Sequence, residues 1–410
     1  MSLFDERATR SYCVAVRWRR PEGLQQLDPG AATQLARLTA LEGFARSIIV
    51  GVVPLAALDA LGSKAAVSYA FFGGAALTLL ITLNIGRLER AVQRRWVMMI
   101  GAGLLVAAAS MYAVVDGPLF AIAIGFHSTA ASIFSVCLSL YIMDFIGKAE
   151  LTTTESRRML YNGAAWFVGP TIGGWLWSHS MGAVPFIVSI VTTTLMVAYF
   201  WRLRIHANPV LRGPTRSVTR PWHNIVRYFG QRYLRCAYAI TTARAIFWAT
   251  LFVYGPIYVI EASLPTWAAG VFLSAASATL FLSPLVSRVA DRFGLRNTIV
   301  GAFVLMAASM VGLAVLREAR PIGVAFWLLG ALGGSTIDVL GNIPFMRLVK
   351  PRERGAMTTV FSTWREVSFL LAPLIAAAAL ALGEFWYLYA TLAVVLAGGA
   401  CATTFLPRRL

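Results

Sequence analysis

The sequence predicts an all-α membrane protein of twelve spanning helices, built as two pseudo-symmetric six-helix bundles. Three observations predict it. Of the 410 residues 58% are hydrophobic and only 13% charged, where a soluble domain carries roughly a quarter charged residues, and mean hydropathy is +0.69. Apolar runs of about 20 residues, the length that crosses a bilayer's hydrocarbon core, recur along the whole chain. Landmarks also repeat after about two hundred residues.

The runs fall near 35–58, 65–84, 97–115, 119–144, 159–178, 182–201, 235–260, 267–286, 298–316, 321–345, 359–382 and 385–406. Span 1 carries Glu42 and Arg46, four residues apart, the spacing that stacks side chains on one helix face and favours an ion pair. Spans 2 and 3 are joined by Ile85-Gly-Arg-Leu-Glu-Arg-Ala-Val-Gln-Arg-Arg95. Span 4 holds His127, a side chain that titrates near physiological pH. Span 5 contains Gly169-Pro-Thr-Ile-Gly-Gly174, small residues that let helices approach closely around a helix-interrupting proline. After span 6 comes an arginine-rich connection with Pro209, Gly213, Pro214 and Pro221.

Span 7 carries Arg244 in the same Ala-Arg-x-Ile setting as Arg46. Spans 8 and 9 are joined by Ser287-Arg-Val-Ala-Asp-Arg-Phe-Gly-Leu-Arg-Asn297, where Gly294 supplies the backbone freedom for a sharp reversal. Span 10 holds Asp338 and Asn342 among small residues, and span 11 holds the adjacent pair Arg365 and Glu366. An ionisable residue at the centre of a span costs about 2.5–3.5 kcal/mol on insertion scales, so each of these should face a cavity or a partner. Asp338 reads as a proton site or as the salt-bridge partner of Arg244 or Arg365. Trp166, Trp248, Tyr254, Tyr258 and Trp364 face a substrate or anchor the helices at the interface; the sequence does not choose.

The formal net charge of +18 follows from topology. With the N-terminus placed in the cytoplasm, thirty of the 36 Lys and Arg fall on the cytoplasmic side. Only Lys64, Arg317 and Arg320 fall opposite, and Arg46, Arg244 and Arg365 lie within spans. That is the positive-inside asymmetry. It places both termini in the cytoplasm, in a bacterial-type inner membrane, and leaves no reason to invoke nucleic acid. The four cysteines are scattered, so neither a disulfide framework nor a metal site is expected. No nucleotide-binding or hydrolase motif occurs, so no enzyme activity and no cofactor are expected.

Glu89-Arg90 and Asp291-Arg292 lie 202 residues apart, Lys148 and Lys350 also 202, and Pro170 and Pro373 203. The repeat divides the chain into a tail (1–34), a first six-helix bundle (35–201), a linker (202–234) and a second bundle (235–410). Paired repeats about a shared pathway suit a secondary transporter, because rocking one half against the other opens a midplane site to each side in turn.

With the loop motif, this layout resembles the major facilitator superfamily from about residue 35 onward. The family's signature loop has the form G-x-L-A-D-R-x-G-R-R. The better copy here is the second, with Ala290, Asp291, Arg292, Gly294 and Arg296; the first keeps Glu89 and Arg90 and lacks the second glycine. The resemblance implies that Asp291 and Glu89 act in gating latches at the cytoplasmic end; a plain solvated loop is the alternative. Gly169, Pro170, Gly173 and Gly174 resemble the core of the antiporter motif of the drug-efflux branch; generic helix packing explains the same residues. Arg46 and Arg244 resemble the arginine pair of organophosphate:phosphate exchangers, with Glu42 as the neutralising partner or proton switch of Arg46. Proton-coupled exporters carry an arginine in span 4 near the place of His127.

Together these features predict a monomeric, proton-coupled exporter of a small organic molecule, with Glu42, Arg46, His127, Arg244, Asp338, Asn342, Arg365 and Glu366 as substrate or coupling residues. Its partners are the substrate, protons and the lipid bilayer. The alternatives are an organic-anion or phosphate-ester exchanger using Arg46 and Arg244, and a non-transporting membrane receptor or scaffold.

Overall fold

A computed structural model describes residues 29–145, 151–180, 182–203, 221–349 and 354–407. Sixteen helices occur among them. The first half contains α1 Pro29–Val50, α2 Val53–Leu61, α3 Lys64–Val114, α4 Leu119–Phe145, α5 Leu151–His179 and α6 Val184–Arg202. The second contains α7 Pro221–Phe229, α8 Arg232–Glu261, α9 Thr266–Ala278, α10 Ser283–Phe293, α11 Leu295–Leu316, α12 Ile322–Leu340, α13 Ile343–Leu348, α14 Arg354–Ser362, α15 Trp364–Leu380 and α16 Trp386–Thr404. The expected tail up to residue 28 and most of the expected linker lie outside the described residues, as do the side chains of Glu89 and Arg90.

Eleven stretches of the described residues are long and apolar enough to cross a membrane. The expected fifth span corresponds to α5, which has the length but begins with the polar run Leu151-Thr-Thr-Thr-Glu-Ser-Arg-Arg158. It nevertheless packs along α1 and α9, between the fourth and sixth spans in chain order. Several spans are broken helices. Span 1 is α1 followed by α2, span 8 is α9 followed by a 3-10 turn and α10, and span 10 is α12 followed by α13. In each case a proline (Pro54, Pro284 or Pro344) sits in the first turn of the new segment, where its missing N–H costs no helical hydrogen bond.

Spans 2 and 3 are two helices that abut at a kink within Lys64–Val114, with the single non-helical residue, Gln93, at φ 65 and ψ 145. At the matching place in the second half Gly294 separates α10 from α11 with φ 84 and ψ 146. The two loops therefore turn through the same backbone conformation, by glycine in one copy and glutamine in the other.

Two hydrophobic cores correspond to the two halves. One is drawn from residues 35 to 200; the other from residues 240 to 406, joined by Leu55 of α2. The halves meet along α3 against α15 and along α5 against α9. The internal repeat exchanges span 2 with span 8 and span 5 with span 11, so the two seams are images of one another. At the α5 seam glycine is required by space. A Cβ on Gly173 would lie 1.7 Å from the Ile48 carbonyl oxygen, and one on Gly270 of α9 would lie 2.1 Å from that of Pro170. Beside Pro170, Thr171 donates from its backbone N–H and from its hydroxyl to Ser274 Oγ, at 3.1 and 2.7 Å. The Gly-Pro motif thus fastens α5 both to α1 of its own half and to α9 of the other.

Candidate functional site

Between the halves lies a cavity of about 420 Å³. A larger hollow at Ala91–Ile100 opens on the outer flank of α3 and draws on that helix alone. The central cavity is lined from both halves: Arg46 and Pro54 from span 1, Phe71 and Thr78 from α3, six residues of α4, Trp166 from α5, Phe252 and Tyr254 from α8, and Arg365, Glu366 and Phe369 from α15. Two surfaces result. Ser128, Ser132 and Ser135 follow one face of α4 at helical spacing, with His127 beside them. Trp166 contributes to an aromatic chain, packing edge-on against Phe252 at 5.4 Å, which stacks on Trp248 at 5.7 Å.

The six charged side chains at membrane depth sort by their partners. Arg46 Nη1 donates to Glu42 Oε1 at 2.6 Å, as the four-residue spacing predicts. Arg244 Nη1 pairs with Asp338 Oδ1 at 2.8 Å, joining span 7 to span 10, and Trp248 Nε1 donates to Asp338 Oδ2 at 2.8 Å. Each first-helix arginine also lies under a tryptophan from the fifth helix of its own half: Arg46 is 5.6 Å from the Trp166 ring and Arg244 is 4.7 Å from that of Trp364. A guanidinium over an indole face is attracted by the ring quadrupole, most strongly where water is excluded. Arg365 and Glu366 are different. Arg365 Nη1 donates to Ser135 Oγ at 2.8 Å, across the cavity and between the halves, and Glu366 makes no hydrogen bond or ion pair among the described residues.

Of the residues singled out in the sequence, Arg46, His127, Arg365 and Glu366 therefore line the cavity. Glu42 is buried beside Arg46, while Arg244, Asp338 and Asn342 are not among the lining residues. Asn342 stands at the N-cap position of α13, at the break in span 10, but makes no side-chain cap bond there, and its Oδ1 is buried without a partner among the described residues. His127 faces Tyr112, whose hydroxyl is 3.4 Å from Nδ1. At the arginine-rich end Asp291, Arg292 and Gly294 are exposed, Arg296 is half-buried, and Asp291 has no hydrogen bond or ion pair among the described residues.

Sequence reasoning missed the contacts at the opposite end. Lys64, at the start of α3, pairs with Glu261, the last residue of α8, and lies 4.3 Å from the Phe385 ring ahead of α16. One turn deeper Ser68 shares a hydrogen bond with Tyr254, which also packs against Phe385. These contacts tie the halves together over the cavity. Lys64 stood out as one of only three basic residues expected on that side, but its partner lies 197 positions away and no spacing rule reaches it.

The sequence profile described as Major Facilitator Superfamily matches residues 35–317 and 266–410. No curated protein matches the chain. Solved structures similar to it include a bacterial homologue of the iron transporter ferroportin in an inward-facing state, with 16% identity, 91% of this chain and 97% of that one covered, and a TM-score of 0.69. The nucleoside transporter NupG has 13% identity, coverage of 92% and 98%, and a TM-score of 0.73. A POT family transporter in complex with a thioalcohol-conjugated peptide has 11% identity, coverage of 91% and 94%, and a TM-score of 0.72. At these identities the likeness is one of fold.

Proposed function

Because this chain belongs to the Major Facilitator Superfamily, a family of integral membrane transporters, we propose that it is a proton-driven exporter of a small organic molecule. The observation that carries the reading is the position of Glu366. It is a carboxylate at membrane depth, unpaired among the described residues, in a cavity that both halves line. A carboxylate there exchanges its proton with whichever side the cavity faces, which is what coupling to a proton gradient requires. The remaining acids, Glu42 and Asp338, are already held by Arg46 and Arg244, so they serve better as fixed struts or slower switches. The same pairing counts against an anion exchanger built on Arg46 and Arg244, because both guanidinium groups are occupied. Export as the direction rests on the resemblance of Gly169-Pro170 and Gly173-Gly174 to the antiporter motif, at a seam that has to slide when the halves rock.

The test uses the purified chain in liposomes loaded with a mixture of labelled aromatic amines, amino acids and aromatic acids. An acidic exterior should accelerate efflux of at least one solute, and Glu366→Gln should remove the acceleration. If efflux of every solute ignores the gradient, the reading fails. A scaffold would also tolerate Glu366→Gln without change in any readout.

A further inference from the structure

Resting on the transport reading above, the charges of the cavity also name the kind of molecule that fits it. Three arginines and three acids lie at membrane depth, and two of each are mutually neutralised. The difference is one of spacing. Glu42 and Arg46 are one helical turn apart and meet, and Arg244 reaches Asp338 across two helices. Arg365 and Glu366 are consecutive, so their side chains leave α15 about 100° apart and cannot close on each other. Arg365 is left with neutral contacts, the Ser135 hydroxyl and the Trp364 ring 5.6 Å away, and Glu366 has no hydrogen bond or ion pair among the described residues. Both nevertheless line the same cavity. A cation and an anion that stand side by side without closing into an ion pair, in a site with aromatic walls, suit a ligand that brings both opposite charges.

We propose that the cavity binds a zwitterion. Arg365, assisted by Ser135, takes the ligand's carboxylate by the fork geometry that suits planar oxyanions. Glu366 takes an ammonium group only a few ångströms away, and an aromatic or branched apolar body lies against Trp166 and Phe252. A monoanion would leave Glu366 facing it unneutralised, and a monocation would face Arg365. The assignment also makes the exchange explicit: a ligand ammonium on Glu366 takes the place of its proton, so substrate and proton share one site in turn. The other charged and titratable groups around that carboxylate are Arg365 beside it and Arg46, His127 and Tyr254 elsewhere on the cavity wall, with Arg158 and Arg244 adding positive charge near Arg365.

The experiment is equilibrium binding to the full-length protein in detergent, with no gradient, using four indoles that differ in charge. L-Tryptophan is the zwitterion, tryptamine the cation, indole-3-propionate the anion and indole the neutral compound. Tryptophan should bind at least tenfold more tightly than any of the others. Arg365→Gln should bring tryptophan down to the level of tryptamine, and Glu366→Gln down to that of indole-3-propionate. Arg365→Lys, which keeps the charge, should preserve the order. If a singly charged indole matches tryptophan, if none of the four binds, or if the charge variants leave the ranking unchanged, the proposal is overturned; should a variant not fold, the wild-type ranking decides alone. Because binding needs no gradient, failure here is separable from failure of proton-driven flux in liposomes.

Discussion

Gln93 occupies a backbone region that its counterpart in the second half leaves to glycine. At φ 65 and ψ 145 a side chain crowds its own carbonyl, and such conformations cost of order 1–3 kcal/mol. Replacing Gln93 by Gly should therefore stabilise the protein by about 1 kcal/mol, read as a rise in melting temperature in detergent; a fall would mean that the glutamine side chain makes compensating contacts. Arg244→Ala should act in the opposite sense. It strands Asp338, leaving a carboxylate at membrane depth with Trp248 as its remaining donor, and breaking such a pair costs about 3–5 kcal/mol. Arg244→Ala combined with Asp338→Asn should recover most of that loss in the same melting assay. At this scale the sequence exposed the intramembrane charges at once, because an ion among apolar residues is conspicuous. It exposed partners only where they share a helix: Glu42 with Arg46 was legible, whereas Asp338 with Arg244 remained one of two choices, and Ser135 with Arg365 was invisible.

Among the elements, α5 shows how composition and packing diverge. Its polar first turns keep its apolar content below that of the other spans, yet it touches both α1 and α9 and is wedged between the two cores. The glycines make this possible. Gly173→Ala would push a methyl group into the Ile48 carbonyl, and overpacking of this kind costs about 1–3 kcal/mol. Loss of monodisperse protein or a lower melting temperature is expected, whereas Gly163→Ala, with no neighbour closer than 4.0 Å, should be silent. Helix number and order could be read from hydropathy because the bilayer imposes a minimum length. The breaks inside spans 1, 8 and 10 could not, since a proline within an apolar run marks a kink, a new first turn or an unbroken helix with equal economy. Nor could the tightness of the junction between spans 2 and 3, because a basic linker reads as a loop even where one non-helical residue, Gln93, makes the break.

For the molecule as a whole, two image-related seams and a cavity between them were implicit in the two-hundred-residue repeat, since a repeat that maps span 2 onto span 8 and span 11 onto span 5 turns one seam into the other. The resting arrangement was not implicit. Lys64, Glu261, Phe385, Ser68 and Tyr254 hold one end shut, while Asp291 at the other end is exposed and unpaired among the described residues. Lys64→Ala should loosen the held end. In a chain freed of Cys13, Cys137, Cys236 and Cys401 and carrying Ala75→Cys in the cavity wall, a membrane-impermeant maleimide added from that face should react several-fold faster. Exchanging the charges, Lys64→Glu with Glu261→Lys, should restore the slow rate; equal rates in all three proteins would remove these residues from any role in closure.

The ion pair at that end is only partly shielded, with side-chain exposures of 29% for Lys64 and 31% for Glu261. Its attraction therefore runs through solvent and is screened by dissolved ions, over about 10 Å at 0.1 M ionic strength and about 3 Å at 1 M. The medium bathing one face of the membrane thus becomes a control on the protein: concentrated salt there weakens the clasp, and dilute salt tightens it, without any change on the opposite face.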